Sequence, residues 1–297
     1  MRAPSQFEVL PVGANLAAEV AAVAPLRLTV TCSSRLGVDA TVAAAVAHTV
    51  AGCEATPHLA ARGVRDRAHL DELLAQMRSA GINQAFVIGG DNPHPVGAYA
   101  SAGELLEEIA THPQRPERLG VAAYPEGHPH IAPDVLAEAL TAKAAIADYM
   151  VTQMCFDGAA LTDWLRATRA AGVTLPAVIG VPGVVERRKL LEISARIGVG
   201  ESLRFVRKQH GALRLLAGRP SRLAEQLLTD LTPALADPDL RIDGLHLYTF
   251  NRLVATCEWE RALRTRSSSS RGARRDPRSA TAPPEPERPA RSRRRAG

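Results

Sequence analysis

Leu119-Gly120-Val121-Ala122-Ala123-Tyr124-Pro125-Glu126-Gly127-His128 is a short apolar run that breaks into polar and turn-forming residues. The apolar run is too short for a globular helix and suits a buried strand, and Pro125 and Gly127 stop it. The same arrangement recurs along the chain. Strand-like runs are expected at Phe7–Leu10, Leu26–Thr31, Glu54–Leu59, Ala85–Gly89, Tyr149–Thr152, Ala177–Val181 and Gly244–Leu247. The segments between them carry helical periodicity: Leu70, Leu73, Leu74 and Met77 form one stripe, Leu161, Trp164 and Leu165 a second, and Leu223, Leu227, Leu228 and Leu231 a third. Met77 and Trp164 are read as core residues. Ser101 with Glu104 reads as a capping box opening another helix. Eight strands with helical crossovers predict a parallel α/β fold, and the count of eight favours a (β/α)8 TIM barrel over an open doubly wound sheet.

The chemistry clusters where these runs end. In order, the residues in or just after the strands include Glu8, Thr31, His58, Asp91, Tyr124 with Glu126 and His128, Gln153, and Tyr248 with Asn251. In a (β/α)8 barrel the carboxyl ends of all strands open on one face, so these groups are expected around a single mouth. Each has an ordinary reading alone: Asp91-Asn92-Pro93 is good turn chemistry and Thr31 could cap a helix. No G-x-G-x-x-G follows the first strand and no P-loop pattern occurs, so any nucleotide would be held by barrel loops.

Composition narrows the setting. Apolar residues make up 46% of the 297 residues and aromatics only 4%, so the core must be packed with Ala, Val and Leu. No run is long and apolar enough to span a bilayer, no signal-type leader opens the chain, and four scattered cysteines suit reduced thiols, so a cytoplasmic protein is expected. The net charge of +5 divides unevenly. Residues 264–297 hold eleven arginines against three carboxylates, a charge of +8, which leaves −3 on residues 1–263. The sequence therefore predicts a mildly acidic barrel over residues 1–263 and a disordered basic tail of Arg, Ser and Pro over residues 264–297. A general nucleic-acid-binding role is not indicated, because the positive charge is confined to the tail.

Six motifs in chain order carry a family resemblance. Phe7-Glu8-Val9-Leu10-Pro11 resembles an FEFFPP opening, Pro57-His58-Leu59 a PHL segment, and Gly90-Asp91-Asn92-Pro93 an RGDPP turn. Tyr124-Pro125-Glu126-Gly127-His128-Pro129 matches YPEGHP, Thr152–Asp157 is similar to TQMFFD, and His246–Asn251 to HFYTLN. Together they resemble the methylenetetrahydrofolate reductase family over essentially the whole chain except the tail. The resemblance implies NAD(P)H-dependent reduction of 5,10-methylenetetrahydrofolate to 5-methyltetrahydrofolate in one-carbon and methionine metabolism, with FAD as the family cofactor.

It also implies roles for single residues. Glu8 matches the acid that protonates the folate, and its setting between Phe7 and Val9 is expected to raise its carboxyl pKa. Asp91 matches an aspartate near the flavin and folate, and Gln153 the residue that pairs with the pterin edge. Arg252 could reach the folate glutamate tail or start a helix in solvent. Thr31, His58, Gly90, Asp91, Ala100, Tyr124, His128 and Lys143 match positions lining the flavin. Several usual flavin contacts are replaced: Gly89 stands for an arginine, Ala139 for an asparagine and Ala142 for a second arginine, while Val184 stands for a stacking aromatic. Hydride transfer through FAD and directly from NAD(P)H therefore both remain open. A folate-binding protein without catalysis, and the reverse oxidation, are the alternative readings.

Overall fold

The computed structural model describes residues 5–13, 16–186 and 221–272. Eight parallel strands close into one barrel in sequence order: β1 Gln6–Val9, β2 Arg27–Val30, β3 Glu54–Ala60, β4 Gln84–Ile88, β5 Arg118–Ala123, β6 Tyr149–Thr152, β7 Ala177–Pro182 and β8 Ile242–Tyr248. Every expected strand is present, within two residues at each end. Closure comes from β8 pairing with β1, with Gln6 opposite His246 and Glu8 opposite Tyr248. That register places residues more than 230 positions apart side by side.

The helices among the described residues are α1 Leu16–Val23, α2 Gly37–Val50, α3 Arg67–Ser79, α4 Ala102–Ala110, α5 Pro133–Ala144, α6 Gly158–Ala170, α7 Arg222–Asp230, α8 Thr232–Ala236 and α9 Leu253–Gly272. Their starts follow local chemistry. Asp66 accepts the His69 N–H at the head of α3, and Asp157 accepts the N–H groups of Ala159 and Ala160 at the head of α6. At α4 the Ser101 hydroxyl accepts the Glu104 N–H, but the Glu104 carboxylate takes the Ala100 N–H instead of that of Ser101, so the box is shifted by one residue. Leu70, Leu73, Leu74 and Met77 are all buried beneath α3. Trp164 is only half-buried, unlike its stripe partners Leu161 and Leu165.

The last helix departs from the expected boundary at residue 263, because α9 continues to Gly272. Glu260 and Arg264 pair one turn apart, carboxylate first, and the Thr265 hydroxyl donates to the Arg261 carbonyl. This charge order supports propagation of a helix through a polar segment. The remainder of the expected tail, residues 273–297, lies outside the described residues. No helix among the described residues is long and apolar enough to cross a membrane.

Candidate active site at the barrel mouth

Glu8 lies inside the barrel between two imidazoles. Its Oε2 is 3.2 Å from His246 Nε2 on β8 and 3.8 Å from His58 Nε2 on β3. Both histidines are buried, and the Glu8 side chain keeps 19% exposure. The strand is pinned at this residue: the Thr249 hydroxyl donates to the Glu8 carbonyl at 2.5 Å, and the Thr249 N–H reaches the same oxygen at 3.3 Å. Asn251, with φ of 58°, accepts the Leu10 N–H and donates to the Val12 carbonyl, which ties the loop after β1 to the end of β8. The left-handed backbone suits asparagine better than most side chains.

The expected rise in the Glu8 pKa is not what the geometry gives. Burial does push the carboxyl up, but the hydrogen bond and charge of His246, followed by the charge of His58, outweigh it and hold Glu8 below its ordinary value. His58 is itself pushed down to about 4 by burial, against a smaller upward pull from Glu8. It is neutral near pH 7, so the pull on Glu8 that persists there comes from His246. The sequence reading missed His246 as a partner because its neighbour lies at the far end of the chain. Its place inside the His246–Asn251 motif was the available signal.

Tyr248 continues the site across the mouth. Its hydroxyl donates to the Thr152 carbonyl on β6 at 3.1 Å. Its phenol is pushed well up, first by burial and then by the charges of Glu8, Cys155 and Tyr124. Tyr124 is likewise pushed up by burial and by the Asp91 carboxylate. The Tyr124 and His128 rings meet edge-on at 5.2 Å. Burial lowers His128, as does His130, while Asp91 pulls it up. Glu8, His58, Tyr248, Tyr124, His128 and Asp91 thus form one electrostatically connected neighbourhood.

The other expected site residues occupy varied settings. Asp91 is exposed at the tip of the turn after β4, which Arg62 braces by donating to the Pro93 carbonyl at 2.6 Å. Gly90 has φ of 89°, and a Cβ there would lie 2.9 Å from the Ala60 Cβ, so both conformation and space call for glycine. Gln153 Oε1 accepts the Met154 N–H, fixing its amide at the end of β6. Thr31 continues the β1–β2 ladder by donating its N–H to Val9. Ala100 is exposed, and its N–H serves the α4 cap. Arg252 is half-exposed and ion-paired with Glu186 at 3.1 Å.

The positions matched to flavin contacts hold one cation. Lys143 Nζ donates to the Ala122 carbonyl at 3.4 Å, and burial pushes the amine down to about 8. Ala139 and Ala142 are exposed on α5, and Gly89 has open space where a side chain would begin. Val184, half-buried, donates its N–H to the Thr256 hydroxyl. The exposed large apolar residues are distributed unevenly. Among the described residues, Leu10, Val12, Val96, Ile131 and Val135 all lie on the loops or first helical turn that follow strand ends, and only Val50 lies elsewhere.

The sequence profile of methylenetetrahydrofolate reductase matches residues 14–261. The chain belongs to that family. A curated relative, methylenetetrahydrofolate reductase 2 of Saccharomyces cerevisiae, is 25% identical over 224 residues, covering 70% of this chain and 36% of the yeast protein. The chain thus spans about a third of the length of that relative. Among solved structures, it resembles a Mycobacterium tuberculosis tryptophan synthase at a TM-score of 0.41 and 18% identity, over 66% of this chain and 81% of that one. A Burkholderia cenocepacia J2315 protein provisionally described as a lyase/mutase gives 0.47 and 14%, over 93% and 84%. These structural likenesses are too distant to bear on chemistry.

Proposed function

We propose that the protein reduces 5,10-methylenetetrahydrofolate to 5-methyltetrahydrofolate with NAD(P)H, in the cytoplasm and in the service of methyl supply for methionine. The observation that carries this reading is a largely enclosed carboxyl held between two imidazoles at the mouth of a barrel belonging to the reductase family. Opening the five-membered folate ring needs a proton on N10, which becomes the leaving group and leaves an iminium at N5. Hydride addition to the iminium carbon then completes the methyl group. Glu8 is the proton donor in this scheme, general-acid catalysis of the kind a buried carboxyl supports. Gln153 and Asp91 flank the folate ring, and the apolar rim offers Leu10, Val12 and Ile131 to its flat surfaces. Arg252 is held by Glu186 and would have to exchange partners to meet a glutamate tail.

The positions matched to flavin contacts, all among the described residues, do not fit a flavin diphosphate. Lys143 is the one cation among the matched positions, and its amine already sits on a backbone carbonyl. A diphosphate needs charge-assisted donors that glycine and alanine lack. No step is therefore routed through FAD, and reduced nicotinamide supplies the hydride as cosubstrate. The test is turnover of purified protein with methylenetetrahydrofolate and NADH or NADPH, with and without added FAD, alongside its visible spectrum. Methyltetrahydrofolate formation by a colourless protein supports the proposal. Absence of turnover under every condition contradicts the reductase reading, and a flavin band that tracks activity contradicts the direct route.

A further inference from the structure

Two observations around Glu8 are left over once its role as acid is assigned. A group that must donate a proton is held in the state that has already lost it, and two titratable nitrogens in a buried cluster lack partners. His246 Nδ1 and His58 Nε2 have no hydrogen-bond partner, and both are buried. The groups facing Glu8 are His58 on β3, His246 and Tyr248 on β8, and the Thr29 hydroxyl beside it on β2, which is itself buried and without a hydrogen-bond partner.

The proton that His246 presents to Glu8 follows from the contact at Nε2. Nε2 lies at hydrogen-bond distance from a carboxylate oxygen, so it carries the proton and donates. Nε2–H therefore faces Glu8, and Nδ1 is the end of the ring without a hydrogen-bond partner. His58 lies too far from Glu8 to hydrogen-bond, and as a neutral ring it offers no competing charge. One donor thus controls the carboxylate from across the β8–β1 seam.

Resting on the acid role proposed above, we propose that His246 is a positioning residue for Glu8. Its Nε2–H fixes the carboxylate in one orientation and keeps it ionised in the open barrel, so that the proton is loaded from solvent only as substrate covers the mouth. Covering the remaining 19% exposure of Glu8 removes the water that helps to stabilise the anion. The carboxyl then takes up one proton and passes it to folate N10, returning to the carboxylate that His246 holds. Loading on binding keeps the acid from being populated until a base is in place to receive the proton.

The test is a ¹³C NMR titration of the glutamate carboxyls, with the Glu8 signal assigned by its loss in Glu8→Gln, compared with the pH profile of kcat/KM. In the parent protein Glu8 should titrate below the ordinary glutamate range. His246→Leu removes the donor and is expected to raise that midpoint by about one unit or more, the scale of a charge-assisted bond. The alkaline limb of the profile should move upward with it. His246→Gln, which retains an N–H donor, should restore much of the shift. A purely structural role for His246 would lower the rate without moving either midpoint, and that result overturns the proposal. Independently of any variant, ¹⁵N NMR of the parent should find His246 protonated on Nε2, and a ring bare at Nε2 also overturns it. If Glu8→Gln keeps full turnover, the acid assignment itself fails. If Glu8→Gln is inactive but His246→Leu leaves the midpoints in place, only the role of His246 fails.

Discussion

The two poles of the barrel are both polar, yet they treat their charges differently. At the floor, where the strands begin, Arg27 pairs with Glu54 at 3.2 Å, Gln84 donates to the same carboxylate, and the Arg118 guanidinium lies 5.1 Å from the centre of the Tyr149 ring. These contacts leave each charge with a fixed neighbour. At the mouth the charged neighbours of Glu8 are replaced by imidazoles, and His58 and His246 each keep an unpaired nitrogen. Fixed pairing gives a scaffold, whereas titratable groups short of partners can exchange protons. The apolar rim adds to the contrast, since a surface open to water is an unfavourable place for Leu10, Val12 and Val96 unless something covers them.

The largest expected effect is at the mouth. Glu8→Gln should lower kcat/KM by about 10²–10⁴-fold, the usual contribution of a general acid, with little change in melting temperature. Activity close to that of the parent would erase the functional distinction between the poles.

Acid should damage the mouth by way of His58. Its pKa lies at about 4 when folded and near the ordinary 6.5 when unfolded, so the unfolded chain binds more protons between those values. Stability is then full above about pH 6.5 and falls as the pH drops toward 4, by on the order of 3 kcal/mol. The depressed Glu8 acts in the same direction below the ordinary carboxylate range. Urea unfolding across this interval should show the slope, and His58→Leu should flatten it; an unchanged slope would mean that burial of His58 is not what the fold is guarding.

Floor variants should do the opposite, changing stability without changing chemistry. A Cβ on Gly120 would lie 2.3 Å from the Tyr149 ring, so Gly120→Ala should cost about 1–3 kcal/mol through overpacking, with kcat per folded molecule retained. The smallest effect belongs to the Arg27–Glu54 pair, whose carboxylate is half exposed. Glu54→Ala should cost less than about 1 kcal/mol in denaturant melts. A loss of catalysis in either variant would mean that the poles are coupled.

The sequence made the strands legible because each is a short apolar run cut off by turn residues, and parallel strands buried on both faces have little else to show. It also located Glu8, Tyr124, Asp91 and Gln153 at strand ends, since that follows from knowing where the strands stop. What it could not show depends on closure. His246 meets Glu8 only because β8 lies beside β1, a pairing 238 residues apart in sequence. The direction of the Glu8 shift depends on that contact, so reasoning from Phe7 and Val9 alone found the burial and missed the histidine that opposes it. Asp157 illustrates the converse: it stands in one of the six motifs, yet its carboxylate is engaged as the cap of α6. The length of α9 was missed because Arg- and Ser-rich composition signals disorder, while the Glu260–Arg264 pair acts locally to extend the helix.

The measurement that bears most directly on the proposed chemistry follows the hydride itself. Protein freed of any flavin would be given methylenetetrahydrofolate and NAD(P)H deuterated at the transferring position, and the product analysed by mass spectrometry. One deuterium in the methyl group of 5-methyltetrahydrofolate is expected, with the rate of its appearance collapsing in Glu8→Gln. Product lacking deuterium would contradict direct transfer, and no product at all would contradict a folate reductase at this mouth.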